Sequence, residues 1–250
     1  MKRPFLKAAI AALGFVMAGN VGVKADVLYQ NTSTYLGYAL GFTNSQQIGQ
    51  EVWLDPLLPT EYLTNFSFMY SSPNNVASVN WNVTADIRFY QNTGPLNPNG
   101  YATPASTPFY DSGSISFPNP LNVSGGTTNA FVADFALSDL LSGVTPLDPN
   151  FALPTNFTFT VTFSGLAVGQ SVGLPSFEPA TVGTNYADYW FDSSGTWELL
   201  TNSVPGASQI GFYAQMNGSP TPTPEPTVLG LGAFGAAILT VMARRRQRCG

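Results

Sequence analysis

The sequence predicts an all-β fold, an antiparallel sandwich or jelly roll, on three observations. Val79, Trp81, Val83, Ala85, Ile87 and Phe89 alternate with Ser78, Asn80, Asn82, Thr84, Asp86 and Arg88. That period of two puts one apolar and one polar row on opposite faces of a strand, and no helix would gather the six apolar residues on one side. The 24 Gly and 20 Pro among 250 residues would break long helices too often for a bundle. Hydrophobic residues make up 44% of the chain and aromatics 13%, enough for a substantial core, while charged residues reach only 9%. The surface is therefore expected to be Asn, Thr, Ser, Gln and Gly.

Each element follows in chain order. Residues 1–25 carry a basic start (Lys2, Arg3, Lys7), an apolar run from Ala8 to Ala18, and small residues around Lys24 before Asp26, the layout of a signal peptide for the Sec export machinery. Strands are predicted at 26–30, 36–42, 50–54 and 62–70, along the 78–89 alternation, and at 113–117 and 130–137. Phe157, Phe159, Val161 and Phe163 interleaved with Thr158, Thr160 and Thr162 mark another strand. Further strands are expected at 186–191 and 196–200, and across Ile210, Phe212, Ala214 and Met216. Turn chemistry fills Asn92 to Gly100, Pro118 to Gly126 and Pro146 to Pro154, and Asp139 to Ser142 gives the one hint of a helical turn. With no repeat or internal linker, residues 26–218 are read as one domain whose strands each have one wet face.

The chain then changes character. Residues 219–226 carry Pro at alternate positions, a stiff extended spacer. The 17 uncharged residues of 227–243 would span about 25 Å as a helix, close to the roughly 30 Å hydrocarbon core. Residues 244–250 form a basic tail with Arg244, Arg245, Arg246 and Arg248. The positive-inside rule keeps that tail in the cytoplasm and residues 26–226 outside, so an inner-membrane anchor is expected before any processing.

Charge and rare residues exclude whole classes of function. Between residues 26 and 224, 13 acidic residues face Arg88 alone, which rules out nucleic acid as a partner. The chain has no His, and its one Cys is Cys249. Triads using His, thiol nucleophiles, zinc sites of His or Cys and intramolecular disulfides are excluded by that count.

The ordered C-terminal triple of Pro224-Glu225-Pro226, an apolar helix and an Arg cluster resembles the PEP-CTERM sorting signal of exported Gram-negative proteins. The resemblance implies recognition and cleavage near the tripeptide by an exosortase-type membrane protease. It also implies a final location at the cell surface or in an extracellular matrix rich in polysaccharide. Cleavage would remove the helix, the Arg cluster and Cys249. The stretches Gln50 to Leu54, Leu63 to Phe68 and Phe109 to Gly113 look, more weakly, like exported domains that precede this signal, which implies the fold class and supplies no active site.

Three readings of function result. The first is a non-enzymatic exported surface or matrix protein without cofactor or metal. The second is a module binding extracellular polysaccharide, since sugar rings stack on exposed aromatics. Its contacts would be Tyr189, Trp190 and Trp197, beside Asp188, Asp192 and Glu198, although a core Trp is the commoner outcome where neighbours in a strand face opposite ways. The third is a carboxylate-dependent hydrolase. Phe109-Tyr110-Asp111-Ser112-Gly113 matches the local pattern of an aspartic-protease loop, but Asp192-Ser193-Ser194-Gly195 is spaced wrongly as its second copy. Asn97 to Gly100 and Asp148 to Asn150 offer oxygens for calcium without EF-hand spacing. Asp86 and Arg88 share a strand face and are expected to pair.

Overall fold

The computed structural model describes residues 25–58, 61–72, 81–118, 130–186, 188–192, 194–200 and 211–222. The signal peptide before residue 25, the Pro224-Glu225-Pro226 motif, the 227–243 span and the Arg cluster lie outside the described residues, as do Val79, Ile210 and most of the 118–126 loop. No helix among the described residues is long and apolar enough to cross a membrane.

The chain is all-β. Its strands are β1 (Asp26–Asn31), β2 (Tyr35–Phe42), β3 (Gln47–Trp53), β4 (Tyr62–Ser71), β5 (Thr84–Gln91), β6 (Tyr110–Ser116) and β7 (Ala130–Ala136). A one-turn helix α1 (Leu137–Leu140) follows, then β8 (Asn156–Ser164), β9 (Val172–Phe177), β10 (Thr184–Asn185) and β11 (Tyr189–Asp192). β12 (Trp197–Leu200), β13 (Gly211–Phe212) and β14 (Ala214–Ser219) complete the described elements. They form two 7-stranded antiparallel sheets. The first runs β1-β14-β4-β9-β13, with β2 on β9 and β7 on β4; the second runs β12-β11-β3-β8-β5-β6, with β10 on β3.

The alternating rows pack the sheets face to face. Phe66 of β4 meets Phe89 of β5 edge-on at 5.1 Å and Phe159 of β8 at 5.4 Å, ring contacts that cross between the sheets. Val83, Ala85, Ile87 and Phe89 are buried, as their period predicts, although the strand itself begins only at Thr84. Phe212, Ala214 and Met216 are buried likewise, with the ladder interrupted at Tyr213.

Two expectations need correction. The Thr row of β8 is not wet: Thr158 and Thr160 are fully buried. Gln47 of β3 donates to Thr160 Oγ1 at 2.7 Å, and Thr158 Oγ1 donates to Asn92 Oδ1 at 2.8 Å, so neighbouring strands and the loop after β5 cover this outer face. The second is β9, which the sequence reading passed over. Val172-Gly-Leu-Pro-Ser-Phe has every residue buried, so it shows no alternation, and Pro175 sits where β2 slips register between Tyr35 and Ala39.

The register also fixes where the two ends of this body emerge. Asp26 pairs with Gly218 and Tyr62 with Ser219, so both ends leave the same pole of the sandwich.

Candidate functional site

The outer face of the second sheet holds the richest chemistry. β3 runs through its middle, and Glu51 projects there opposite Thr158 of β8. Only 5% of Glu51 is exposed. Asn156 Nδ2 donates to Glu51 Oε1 at 3.1 Å. Burial pushes the Glu51 carboxyl above its usual range, opposed first by Asn156 and then by the nearby N–H groups of Trp190 and Asn92. Neither Trp190 Nε1 nor Asn92 Nδ2 reaches hydrogen-bond geometry, so both donors stay buried without a partner.

An aromatic group closes over this carboxylate. Tyr101, carried by the loop between β5 and β6, meets Tyr186 edge-on at 4.8 Å, and Tyr186 meets Trp53 edge-on at 6.1 Å. Asn97 Oδ1 holds the loop by accepting the Asn99 and Tyr101 N–H groups at 3.0 and 2.9 Å. Gln50 Nε2 holds the other side by donating to the Tyr186 carbonyl at 2.6 Å. Trp53, at the last position of β3, is 38% exposed, and Tyr101 and Tyr186 are half-buried.

The aromatic residues predicted from sequence take other positions. Trp190 shares the outer face, opposite Gly49, but is only 1% exposed and offers solvent no ring face. Tyr189 faces the interior, 5.9 Å from Phe212. Trp197 is half-buried with its ring edge-on to Tyr90 at 5.4 Å. The three do not form one platform because the strand alternates its neighbours between faces. Trp53 and Tyr101 were not read as contacts; Tyr101 follows the Asn97 to Gly100 turn and Trp53 is the last residue of β3, positions that no alternation singles out.

The Asp-Ser-Gly stretch is a β-bulge. Asp86 pairs with Ser114 and Arg88 with Asp111, so Ser112 and Gly113 together oppose Ile87, with Gly113 at φ 65°. Ser112 Oγ accepts the Ile87 N–H at 2.9 Å and donates to the Gly113 carbonyl at 2.7 Å, leaving no free nucleophile. Arg88 bridges the carboxylates, with Nη2 2.5 Å from Asp86 Oδ2 and Nε 2.8 Å from Asp111 Oδ2. Burial, with Asp111 adding and Arg88 opposing, raises Asp86 to about 6. Burial acts upward on Asp111 too, but the Gly113 N–H and Arg88 outweigh it and hold that carboxyl low. Asp192, the other half of the protease idea, lies across β3, β8 and β5 from β6, about 19 Å away at roughly 4.8 Å per strand. Its Oδ1 accepts the Ser194 and Gly195 N–H groups of its own turn. The pairing an aspartic protease needs is therefore absent between these two residues.

The calcium loops are likewise turns, with Asp148 Oδ1 accepting the Asn150 N–H at 2.8 Å. Among the described residues no group of three His, Cys, Asp or Glu side chains could hold a metal ion. No protein-family model, curated protein or solved structure matches the chain.

Proposed function

We propose that this is a non-enzymatic exported protein whose jelly-roll-like β-sandwich is delivered by the 1–25 signal peptide and held at the inner membrane by the 227–243 helix. It is then released to the cell surface or matrix by an exosortase-type cut near Pro224-Glu225-Pro226. The observation that supports this reading is the pairing of Asp26 with Gly218, by which the described body begins and ends at one pole, adjacent in sequence to both segments read as membrane signals. Replacing Pro224, Glu225 and Pro226 together by Ala should leave the protein in the inner-membrane fraction of its host. Unchanged delivery to the surface would count against the sorting step.

A second reading is favoured by Trp53, which is 38% exposed at the end of β3 with Tyr186 and then Tyr101 edge-on beside it, an aromatic cluster that suits the apolar face of a sugar ring. In an affinity gel containing neutral or acidic polysaccharide, wild-type mobility should be retarded, and Trp53→Ala or Tyr101→Ala should run free. Equal mobility of all three with and without polymer would remove this reading.

A further inference from the structure

At the pole from which both ends emerge, the strand ends leave a cavity of about 460 Å³ walled by Leu28, Trp53, Leu54, Leu58, Glu61 and Leu153. Its frame is fixed by backbone bonds. Asp55 N donates to the Leu28 carbonyl, Leu54 N to Thr155 and Leu153 N to Glu61, each at 2.9 Å. The volume lies within the roughly 300–1,000 Å³ usual for small-molecule sites.

One group in this wall does not fit an apolar void. Glu61 is only 4% exposed, and both of its carboxylate oxygens are buried without a hydrogen-bond partner among the described residues. A buried carboxylate left in that state is costly and calls for a donor. Among the described residues no nearby side chain supplies one. Asp26 and Asp55 are acids, and Asp55 Oδ1 already accepts the Leu57 N–H at 2.9 Å. Arg88, the only cation among the described residues, is engaged by Asp86 and Asp111 on the second sheet. Burial, followed by the charge of Asp26, holds the Glu61 carboxyl above its usual range, a bias that a bound cation would reverse.

The missing donor is better supplied by an organic cation than by a metal. A hard metal ion needs about six or more oxygens, and among the described residues no three Asp, Glu, His or Cys side chains come together here. An ammonium group needs only an acceptor for its N–H bonds and tolerates leucine and tryptophan walls around its carbon skeleton. We propose that this cavity binds a small organic ammonium compound, with its apolar body against Leu28, Leu54, Leu58 and Leu153 and its charged nitrogen on Glu61.

The test uses the full chain in lipid nanodiscs, titrated calorimetrically at pH 7.5 with phenethylamine, phenylethyl alcohol and phenylacetate, with empty nanodiscs subtracted. These share one apolar body and differ in the head group. Phenethylamine should bind saturably with a Kd below about 1 mM, at least about tenfold more tightly than the alcohol, and phenylacetate should not bind. Glu61→Gln should weaken the amine about tenfold and leave the alcohol unchanged, and Ala152→Trp, which narrows the cavity, should weaken both. The proposal fails if amine and alcohol bind alike in the wild type, if neither saturates, or if Glu61→Gln binds the amine as the wild type does. Because the wild-type comparison needs no variant, a misfolded mutant cannot rescue or sink it.

Discussion

At the middle of β8 both faces bury their side chains fully, and by different physics. On the inner face Phe157, Phe159, Val161 and Phe163 meet the aromatic rows of the first sheet, and burial there asks nothing of the partners except shape. On the outer face Thr158 and Thr160 are as fully buried, but every polar atom around them needs a partner. Thr158, Thr160 and Asn156 have theirs, while Trp190 Nε1, Asn92 Nδ2 and Asp86 Oδ1 do not. The inner face is where stability resides. The outer face holds polar groups at a cost, and that cost gives it a pH response.

The sharpest way to break this comparison is at the centre of the inner face. Phe66→Ala removes contacts to Phe68, Phe89, Phe135 and Phe159 and should cost about 3–5 kcal/mol in urea unfolding. A loss below about 1 kcal/mol would mean that the core is not set there. A smaller effect is expected beneath the outer face at Gly49. A Cβ there would lie 2.6 Å from Thr160 Cγ2 and 2.7 Å from the Phe159 carbonyl oxygen. Gly49→Ala should therefore cost about 1–3 kcal/mol by the same measurement, since backbone cannot yield as a flexible side chain would.

The outer face should also set the sign of the pH dependence. A carboxyl raised on folding binds its proton more tightly in the folded state, so its contribution is fully present below the unfolded pKa and lost as pH rises through the folded one. Asp86, raised from 3.8 to about 6, acts in this sense, and Glu51 and Glu61 act in the same direction. Asp111 is lowered and acts oppositely, its contribution being lost as pH falls through its folded value. Unfolding free energy should therefore fall by about 1–3 kcal/mol between roughly pH 4 and pH 7. A rise over that range would contradict the burial of these acids. The smallest effect belongs to Asp86→Asn, which keeps an acceptor for Arg88 and removes the titrating charge. It should flatten this slope and change stability at neutral pH by about 1 kcal/mol or less.

The inner face was legible in the sequence because its physics is periodic. The rows at 83–89 and 157–163 announced both strand type and buried side, and the predicted turn at Asp139 to Ser142 overlaps the helical turn Leu137–Leu140 in its first two residues. The outer face was not, because covering Thr158 requires Asn92 and burying Glu51 requires Trp190, contacts made across the fold that leave no local pattern. β9 was hidden for a related reason, since a strand buried throughout and carrying Gly173 and Pro175 has no alternation to read. At the candidate site, Trp190 is the core residue that strand alternation made the commoner outcome, which removes it as a sugar contact. Trp53 and Tyr101 stand at positions that no alternation singles out.

The central claim, an exported payload cut free of its membrane helix, is tested most directly by intact-mass spectrometry of the protein recovered from its host's surface or matrix. The mature species should begin near Asp26, end close to Pro224–Pro226, and lack Arg244, Arg245, Arg246, Arg248 and Cys249. A surface population whose mass still includes those C-terminal residues would contradict the account.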